Sequence, residues 1–204
     1  MGLLMTGCSL FGKGSEEQPH YTVITEQNNM EIRKYDSYII AKTTVSGSFK
    51  EAQSAGFRIL AGYIFGKNKS KQKIAMTAPV VQKPNSEKIA MTAPVVISPS
   101  DNKTWTMTFS MPSKFTLDTL PAPTDERVKI EKVEGKLIAA LRFSGFWNES
   151  KNAEKAGELT EWLKGLKDYQ IVSDPMFAGY NPPWTLPFLR RNEMMIELKR
   201  IKTI

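Results

Sequence analysis

Cys8 and His20 are the only cysteine and the only histidine among the 204 residues of this sequence. A disulfide framework needs paired cysteines, and a structural zinc site needs about four Cys or His ligands. Ser-His-Asp and Cys-His catalysis both need a histidine inside the folded domain. Because both residues precede the first segment with strand character, the sequence excludes these three kinds of site and predicts no metal site.

Carboxylate and phosphate chemistry have little support in this sequence. The acidic residues fall singly in helix and turn contexts, whereas general acid-base catalysis needs groups held together at one site. The segment Gly66-Lys67-Asn68-Lys69-Ser70 lacks the glycine spacing of a phosphate-binding loop. The sequence therefore predicts a binding protein without catalytic residues, and not an enzyme.

The composition is that of a soluble chain able to bury a core, with 41% hydrophobic residues and a net charge of +7. No apolar run approaches the roughly 20 residues of a bilayer-spanning helix, which excludes a polytopic membrane protein. The basic excess favours anionic partners or an anionic membrane surface. However, the lysines are dispersed, and no zinc-finger, helix-turn-helix or RNP pattern accompanies them, so we predict no nucleic-acid partner.

The amino terminus resembles a bacterial lipobox. Residues 3–8 read Leu-Leu-Met-Thr-Gly-Cys, an apolar run that ends in small residues before a cysteine. We therefore expect residues 1–19 to form a truncated signal peptide and a flexible tether, with Cys8 lipidated. Ser9, rather than aspartate, after the cysteine predicts a bacterial envelope protein at the outer membrane, facing the periplasm. The alternatives are N-myristoylation, for which Met1-Gly2 and Thr6 fit and which implies a cytoplasmic protein, or an unmodified cysteine.

The rest of the chain alternates strand-like segments with two helical ones. Helices are predicted at 49–65, after an N-cap at Gly47-Ser48, and at 149–166. A proline-rich connection is predicted at 112–123. Strands are predicted at 21–25, 30–35, 38–45, 74–81, 89–97, 104–111, 127–134, 136–144, 169–177 and 193–201.

A distant internal repeat has a constant offset of 98 residues. Residues 39–41 and 45–47 recur as 137–139 and 143–145, and Phe49 recurs as Trp147. In both copies a strand passes through Ser-Gly into a helix. We therefore predict two similar β-α-β-β halves, fused by duplication into one domain over residues 20–204. Two unrelated strand-helix junctions that share a common turn are the alternative.

A second repeat is local, because Lys-Ile-Ala-Met-Thr-Ala-Pro-Val-Val occurs at both 73–81 and 88–96. The alternation of side chains predicts a hairpin closed by residues 82–87. Met76 and Met91 then either belong to the sheet core or form an adaptable, methionine-lined wall against an apolar ligand.

The first predicted helix is apolar on two faces. Residues 57–65 carry Arg58 as their only charge, whereas the second helix has an ordinary single apolar stripe. One face can pack on a sheet, and the other needs a loop, a partner chain or an apolar ligand. The loop at 180–188 is the best internal candidate, since its prolines stiffen it and Trp184 and Phe188 offer large apolar surfaces.

Together these motifs resemble the SOUL haem-binding protein family over roughly residues 20–200. The matching segments are the repeated Lys-Ile-Ala-Met-Thr-Ala-Pro-Val and residues 56–68, 109–117, 141–145, 180–184 and 190–193. The resemblance implies an α+β fold, in which duplicated β-α-β-β halves form a distorted antiparallel barrel with two helices. It also implies binding of haem or a related tetrapyrrole and no established catalytic residues.

The resemblance places the ligand against the apolar face of the first helix, without an axial histidine. Gly62 and Thr185 occupy positions where lysines are expected, and Arg58, Arg190 and Arg191 can substitute for them. The residues predicted to contact haem or porphyrin are Phe57, Arg58, Leu60, Ala61, Ile64, Trp184 and Arg190.

The predicted function is thus to carry, scavenge or buffer haem or another porphyrin in an apolar groove. A protein–protein interaction module that uses the same helix face is the alternative, and its partner could be a second copy of the chain. The sequence leaves the oligomeric state open.

Overall fold

The computed structural model describes residues 17–70, 87–100, 104–181 and 184–201. A short 3₁₀ helix spans Pro187–Leu189. In chain order the other elements are β1 (Tyr21–Gln27), β2 (Met30–Tyr35), β3 (Tyr38–Ser46), α1 (Phe49–Ile64), β4 (Asn68–Lys69), β5 (Val95–Ser100), β6 (Thr104–Ser110), β7 (Ala122–Pro123), β8 (Lys129–Val133), β9 (Leu137–Phe143), α2 (Glu149–Lys164), β10 (Tyr169–Ile171), β11 (Met176–Gly179) and β12 (Asn192–Arg200).

Ten of the described strands form one antiparallel sheet in the order β1-β2-β9-β12-β11-β5-β6-β3-β8, with β10 beside β12. The sheet curls strongly into a half-barrel and carries both helices, so the predicted α+β class is confirmed. Among the described residues the sheet does not close, because β1 and β8 are its edges.

The strand order confirms the duplication. The first half contributes β3, α1, β5 and β6, and the second contributes β9, α2, β11 and β12. The neighbours β9-β12-β11 mirror β3-β6-β5, while β2 and β8 each pair with the opposite half. Gly47 and Gly145 are the equivalent junction glycines, and both have positive φ, 126° and 102°, which side chains rarely adopt. The 98-residue offset does not extend through the helices, because α2 begins 100 residues after α1.

Local sequence explains how each helix begins. Ser48 and Glu51 form a capping box, in which the Ser48 amide donates to Glu51 Oε2 at 3.0 Å. Asn148 caps α2 by accepting the Lys151 amide at 2.8 Å. Gly56 permits the close approach of α1 to β6, since a Cβ there would lie 3.2 Å from Met107 Cβ.

The structure corrects two of the predicted strands. The one predicted at 89–97 begins only at Val95, because Pro94 has no amide proton and Thr92 Oγ1 donates to the Ser110 carbonyl instead of extending the ladder. The one predicted at 169–177 is two strands, β10 and β11, separated by a turn that ends at Pro175.

The first strand of the predicted hairpin, residues 74–81 with Met76, lies outside the described residues. Met91, in the second copy of the repeat, packs partly buried against the core beneath α1. That packing favours the core interpretation for this methionine.

Contacts with the domain begin before residue 20. The Glu17 carbonyl accepts the Ala93 amide at 3.0 Å, and its carboxylate accepts the Ser113 amide at 2.7 Å. The end of the predicted tether therefore packs on the sheet. No helix in the described part of the chain is long and apolar enough to cross a bilayer.

Candidate functional site

A groove of about 740 Å³ lies between the outer face of α1 and the second half of the domain. This volume is within the usual range for small-molecule sites, about 300–1,000 Å³. The helix lines it with Gln53, Ser54, Phe57, Arg58, Ala61 and Gly62, followed by Phe65; the strands add Val95, Ile97, Met107, Phe177 and Gly179; and the loops and β12 add Phe146, Trp147, Asn181, Arg190 and Asn192.

The two apolar faces of α1 have different surroundings. Leu60 and Ile64 point into the core and are 0% and 1% exposed. Phe57 and Ala61, with Phe65 just beyond the helix, line the groove, and Phe57 remains 38% exposed. The structure therefore brings Phe57, Arg58 and Ala61 together as predicted, but Leu60 and Ile64 are core residues that do not face the groove.

The loop predicted to cover the second helix face does not cover it. Trp184 is 82% exposed and does not line the groove, so its predicted ligand contact is not supported. The loop is held elsewhere by its own hydrogen bonds: the Gly145 amide donates to the Pro187 carbonyl at 2.8 Å. Of the described residues in and just after this loop, Asn181 and Arg190 line the groove.

An aromatic pair forms the wall that faces α1. The rings of Trp147 and Phe177 stack with centroids 4.1 Å apart, and Phe49 meets Trp147 edge-on at 5.5 Å. Neither Trp147 nor Phe177 was predicted to be a site residue. The internal repeat gave a partial indication that Trp147 packs inside the domain, because Trp147 is the counterpart of the core residue Phe49.

The charged side chains at the groove are basic. Arg58 and Arg190 line it, and the described lining includes no Asp or Glu. The Arg190 guanidinium lies 5.5 Å from the Phe146 ring centroid. Lys67, which was not predicted to be a site residue, passes over Gly62, with its Cδ 3.1 Å from where a Cβ at residue 62 would lie. The groove therefore suits a largely apolar ligand with anionic substituents.

His20 lies away from the groove. Its Nδ1 is 2.6 Å from Asp36 Oδ2, both side chains are exposed, and the pair borders a separate cavity of about 580 Å³. Within the described residues, no cluster of three or more His, Cys, Asp or Glu could hold a metal ion.

A buried ionic network lies behind the groove. Glu193 is 0% exposed and accepts two hydrogen bonds from Arg33, at 2.6 and 3.0 Å. Arg191 and the Tyr180 hydroxyl also donate to this carboxylate, each at 2.7 Å. Arg191 therefore binds Glu193 and does not line the groove. It is not placed to replace the expected lysines, as its residue type had suggested.

The network lowers the pKa of Glu193. Burial raises the pKa of this carboxyl, but the hydrogen bonds and charge of Arg33, with the charge of Arg191, outweigh that effect and hold it below its ordinary value of 4.5. Burial raises the pKa of Tyr180 well above 10, so its hydroxyl remains a donor.

We expect the free energy of unfolding to fall as the pH drops below about 4.5. A carboxyl with a lowered pKa stabilises the fold above its unfolded pKa, and this contribution is lost as the pH falls through its folded value. Urea unfolding from about pH 6 to about pH 3 would measure the loss, with Tyr180→Phe as a comparison in which Glu193 lacks one of the hydrogen bonds that lower its pKa, so that a smaller loss is expected. Equal losses in the two proteins would contradict the assignment.

Comparisons with known proteins agree with this geometry. The family model described as "SOUL heme-binding protein" matches residues 16–87 and 81–197. Heme-binding protein 1 of Xenopus laevis is 31% identical over 170 residues, 80% of each chain. Heme-binding protein 2 of Homo sapiens is 31% identical over 183 residues, 87% of this chain and 82% of that protein.

The EcmrR C-terminal domain is similar in structure, with a TM-score of 0.59, 8% sequence identity, and coverage of 89% of this chain and 99% of that domain. At this identity the likeness concerns the fold alone.

Proposed function

This chain belongs to the SOUL haem-binding protein family, and from that premise we propose that its groove binds haem or a related tetrapyrrole. The observation that carries the proposal is the groove itself. It combines the apolar face of α1, the stacked Trp147–Phe177 wall and two arginines in about 740 Å³. A macrocycle with apolar faces and anionic edge substituents matches that combination.

Burial of the macrocycle supplies most of the binding free energy in this proposal. Apolar surface removed from water contributes about 25 cal/mol per Å², so micromolar affinity is within reach without a bond to iron. Phe57 and Ala61 contact one side of the ligand, and the aromatic wall contacts the other.

Arg58 and Arg190 pair with the propionates in this arrangement, and Lys67 adds a third cation near Gly62. Arginine suits this role because its planar guanidinium binds a carboxylate through two hydrogen bonds. The Arg190 side chain is oriented by its Nε, which donates to the Thr185 carbonyl at 2.8 Å.

A carrier, scavenger or buffer is the role that follows from such a site. The described lining supplies apolar contacts and positive charges and includes no Asp, Glu or His that could form an acid-base pair, so in this proposal the ligand is held and released unchanged. The test is a titration of the full chain with haemin, followed in the Soret band. A saturable shift at micromolar protein is expected, and its absence would overturn the proposal.

We predict that metal-free protoporphyrin binds within about tenfold of haemin, a difference of about 1.4 kcal/mol. The reason is that burial, rather than a bond to iron, holds the ligand. Fluorescence and Soret titrations measure the two affinities. His20→Ala is expected to leave both unchanged, because His20 lies at the other cavity. A low-spin bis-imidazole spectrum lost in that variant would contradict the prediction.

We also propose that Cys8, outside the described residues, is lipidated and anchors the protein to the outer membrane of a bacterial envelope. The full natural gene, expressed in a bacterial host, should give a protein that partitions into a detergent phase, because two or more acyl chains make attachment stable. Cys8→Ala is expected to shift it to the aqueous phase. If both forms remain aqueous, the anchor and the envelope location are wrong.

A further inference from the structure

Five large apolar side chains protrude at the edge of the groove, and four of them, all except Phe146, do not line the ligand site described above. We call them the apolar tip: Phe146, Trp184, Leu186, Phe188 and Leu189, which are 70%, 82%, 56%, 69% and 50% exposed. Single exposed apolar residues are ordinary, but a group of this size marks a contact surface.

Hydrogen bonds connect the chain segments that form the apolar tip. The Gly145 amide donates to the Pro187 carbonyl at 2.8 Å, which joins the segment of Phe146 to that of Phe188. Asn192 Nδ2 donates to the Gly145 carbonyl at 3.0 Å, and the Leu189 amide donates to the Leu186 carbonyl at 2.9 Å. These bonds join the two segments of the tip to each other and to β12.

The chain segments around the tip carry positive charge and no negative charge. Among the described residues there is no Asp or Glu at 52–70, 135–148 or 175–192, and these three stretches supply α1 after its first turn and both parts of the tip. Their described cations include Arg58, Lys67, Arg142 and Arg190. An anionic surface is thus favoured on this side of the molecule.

We propose that the apolar tip inserts into the interface of an anionic lipid membrane. Tryptophan favours the level of the headgroups, phenylalanine and leucine bury at the boundary between headgroups and acyl chains, and nearby arginines and lysines add attraction to anionic lipids. A bilayer accepts separately protruding side chains, whereas a protein partner must present a matching pocket for each. Phe146 and Arg190 also line the groove, so docking places the groove mouth against the lipid.

The experiment uses the full chain with Cys8→Ala, so that no acyl chain contributes, and sedimentation with phosphatidylcholine vesicles with or without phosphatidylglycerol. We expect binding to the anionic vesicles that weakens as salt is added. Trp184→Ser combined with Phe188→Ser should weaken it at least about tenfold, since two large apolar side chains leave the interface. The control, Ile24→Ser with Leu117→Ser, changes side chains that are 46% and 43% exposed elsewhere, and should bind like the parent.

Tryptophan fluorescence locates the contact. Trp184 is the most exposed of the four tryptophans, so vesicles should shift the emission to the blue. Trp184→Phe should keep the binding and lose that shift. Haemin affinity in solution should be unchanged in the Trp184→Ser, Phe188→Ser protein, because neither side chain lines the groove, so this proposal and the tetrapyrrole proposal fail independently.

Three results would overturn the docking proposal. They are no sedimentation with anionic vesicles, equal loss in the tip and control variants, and a dimer in light scattering that the tip variant abolishes while vesicles bind neither protein. The last result would identify a second copy of the chain as the occupant of the tip.

Discussion

Replacing Glu193 by glutamine is expected to lower the free energy of unfolding by about 3–5 kcal/mol, the usual cost of removing one partner from a buried ion pair. Arg33 is 1% exposed, and without the Glu193 carboxylate its two terminal nitrogens would lose the anion that accepts their hydrogen bonds. Only its Nε would keep a carboxylate partner among the described residues, Glu31 at 2.6 Å. Since domains are stable by only about 5–15 kcal/mol, the variant should be close to unfolding at moderate temperature.

Urea unfolding of Glu193→Gln and Glu161→Gln tests this expectation. Glu161 pairs with Lys164 at 2.7 Å, but both side chains are exposed, so its loss should leave stability almost unchanged. Tyr180→Phe removes only the hydroxyl that donates to Glu193 and should cost about 1–2 kcal/mol, which gives a measurable value even if Glu193→Gln does not fold. Equal stability of the two glutamine variants would mean that the buried network contributes little.

The second large effect concerns the groove. Phe57→Asp is expected to weaken haemin binding about 30- to 100-fold, or about 2–2.7 kcal/mol. The change removes an aromatic surface from the ligand face and places a carboxylate against an apolar macrocycle and near its propionates. Phe57→Leu keeps an apolar side chain and should stay within about threefold of the parent.

The fold should tolerate both substitutions, because Phe57 is 38% exposed and Leu60, on the inner face, is unchanged. Urea unfolding of each variant confirms this before the Soret titration is interpreted. If Phe57→Asp binds haemin like the parent while remaining folded, the ligand does not occupy this groove.

Short-range sequence patterns predicted helices and strands well where the turn residues and the spacing of apolar residues indicated the same element. The strand Met30–Tyr35 and the start of α1 at Phe49 match the predictions, since the Asn28-Asn29 turn and the Ser48–Glu51 capping box are local signals. The strand predicted at 169–177 was too long. Residues with strand propensity occur on both sides of Ser173 and Pro175, but the chain leaves the sheet between Ile171 and Met176.

The residues of the candidate site were predicted only in part, because the sequence of α1 does not show which of its apolar side chains face the groove. Residues 57–65 are apolar nearly all round, so their spacing cannot distinguish the face that packs on the sheet from the face that meets the groove. Leu60 and Ala61 are adjacent in the sequence, yet one is buried in the core and the other lines the groove. The packing of α1 against β3 and β6 determines which face is buried, and the sequence of α1 alone does not indicate it.

By itself, the sequence determined the duplicated α+β architecture, the helix with two apolar faces and a domain whose only histidine lies at its edge. The tertiary structure decided which side chains meet across the two halves. Phe177 reaches the groove on β11, which pairs with β5 at the centre of the sheet, and Trp147 stacks on its ring. Arg190 and Arg191 are consecutive residues of extended backbone, whose side chains point to opposite sides, so one lines the groove and the other binds buried Glu193.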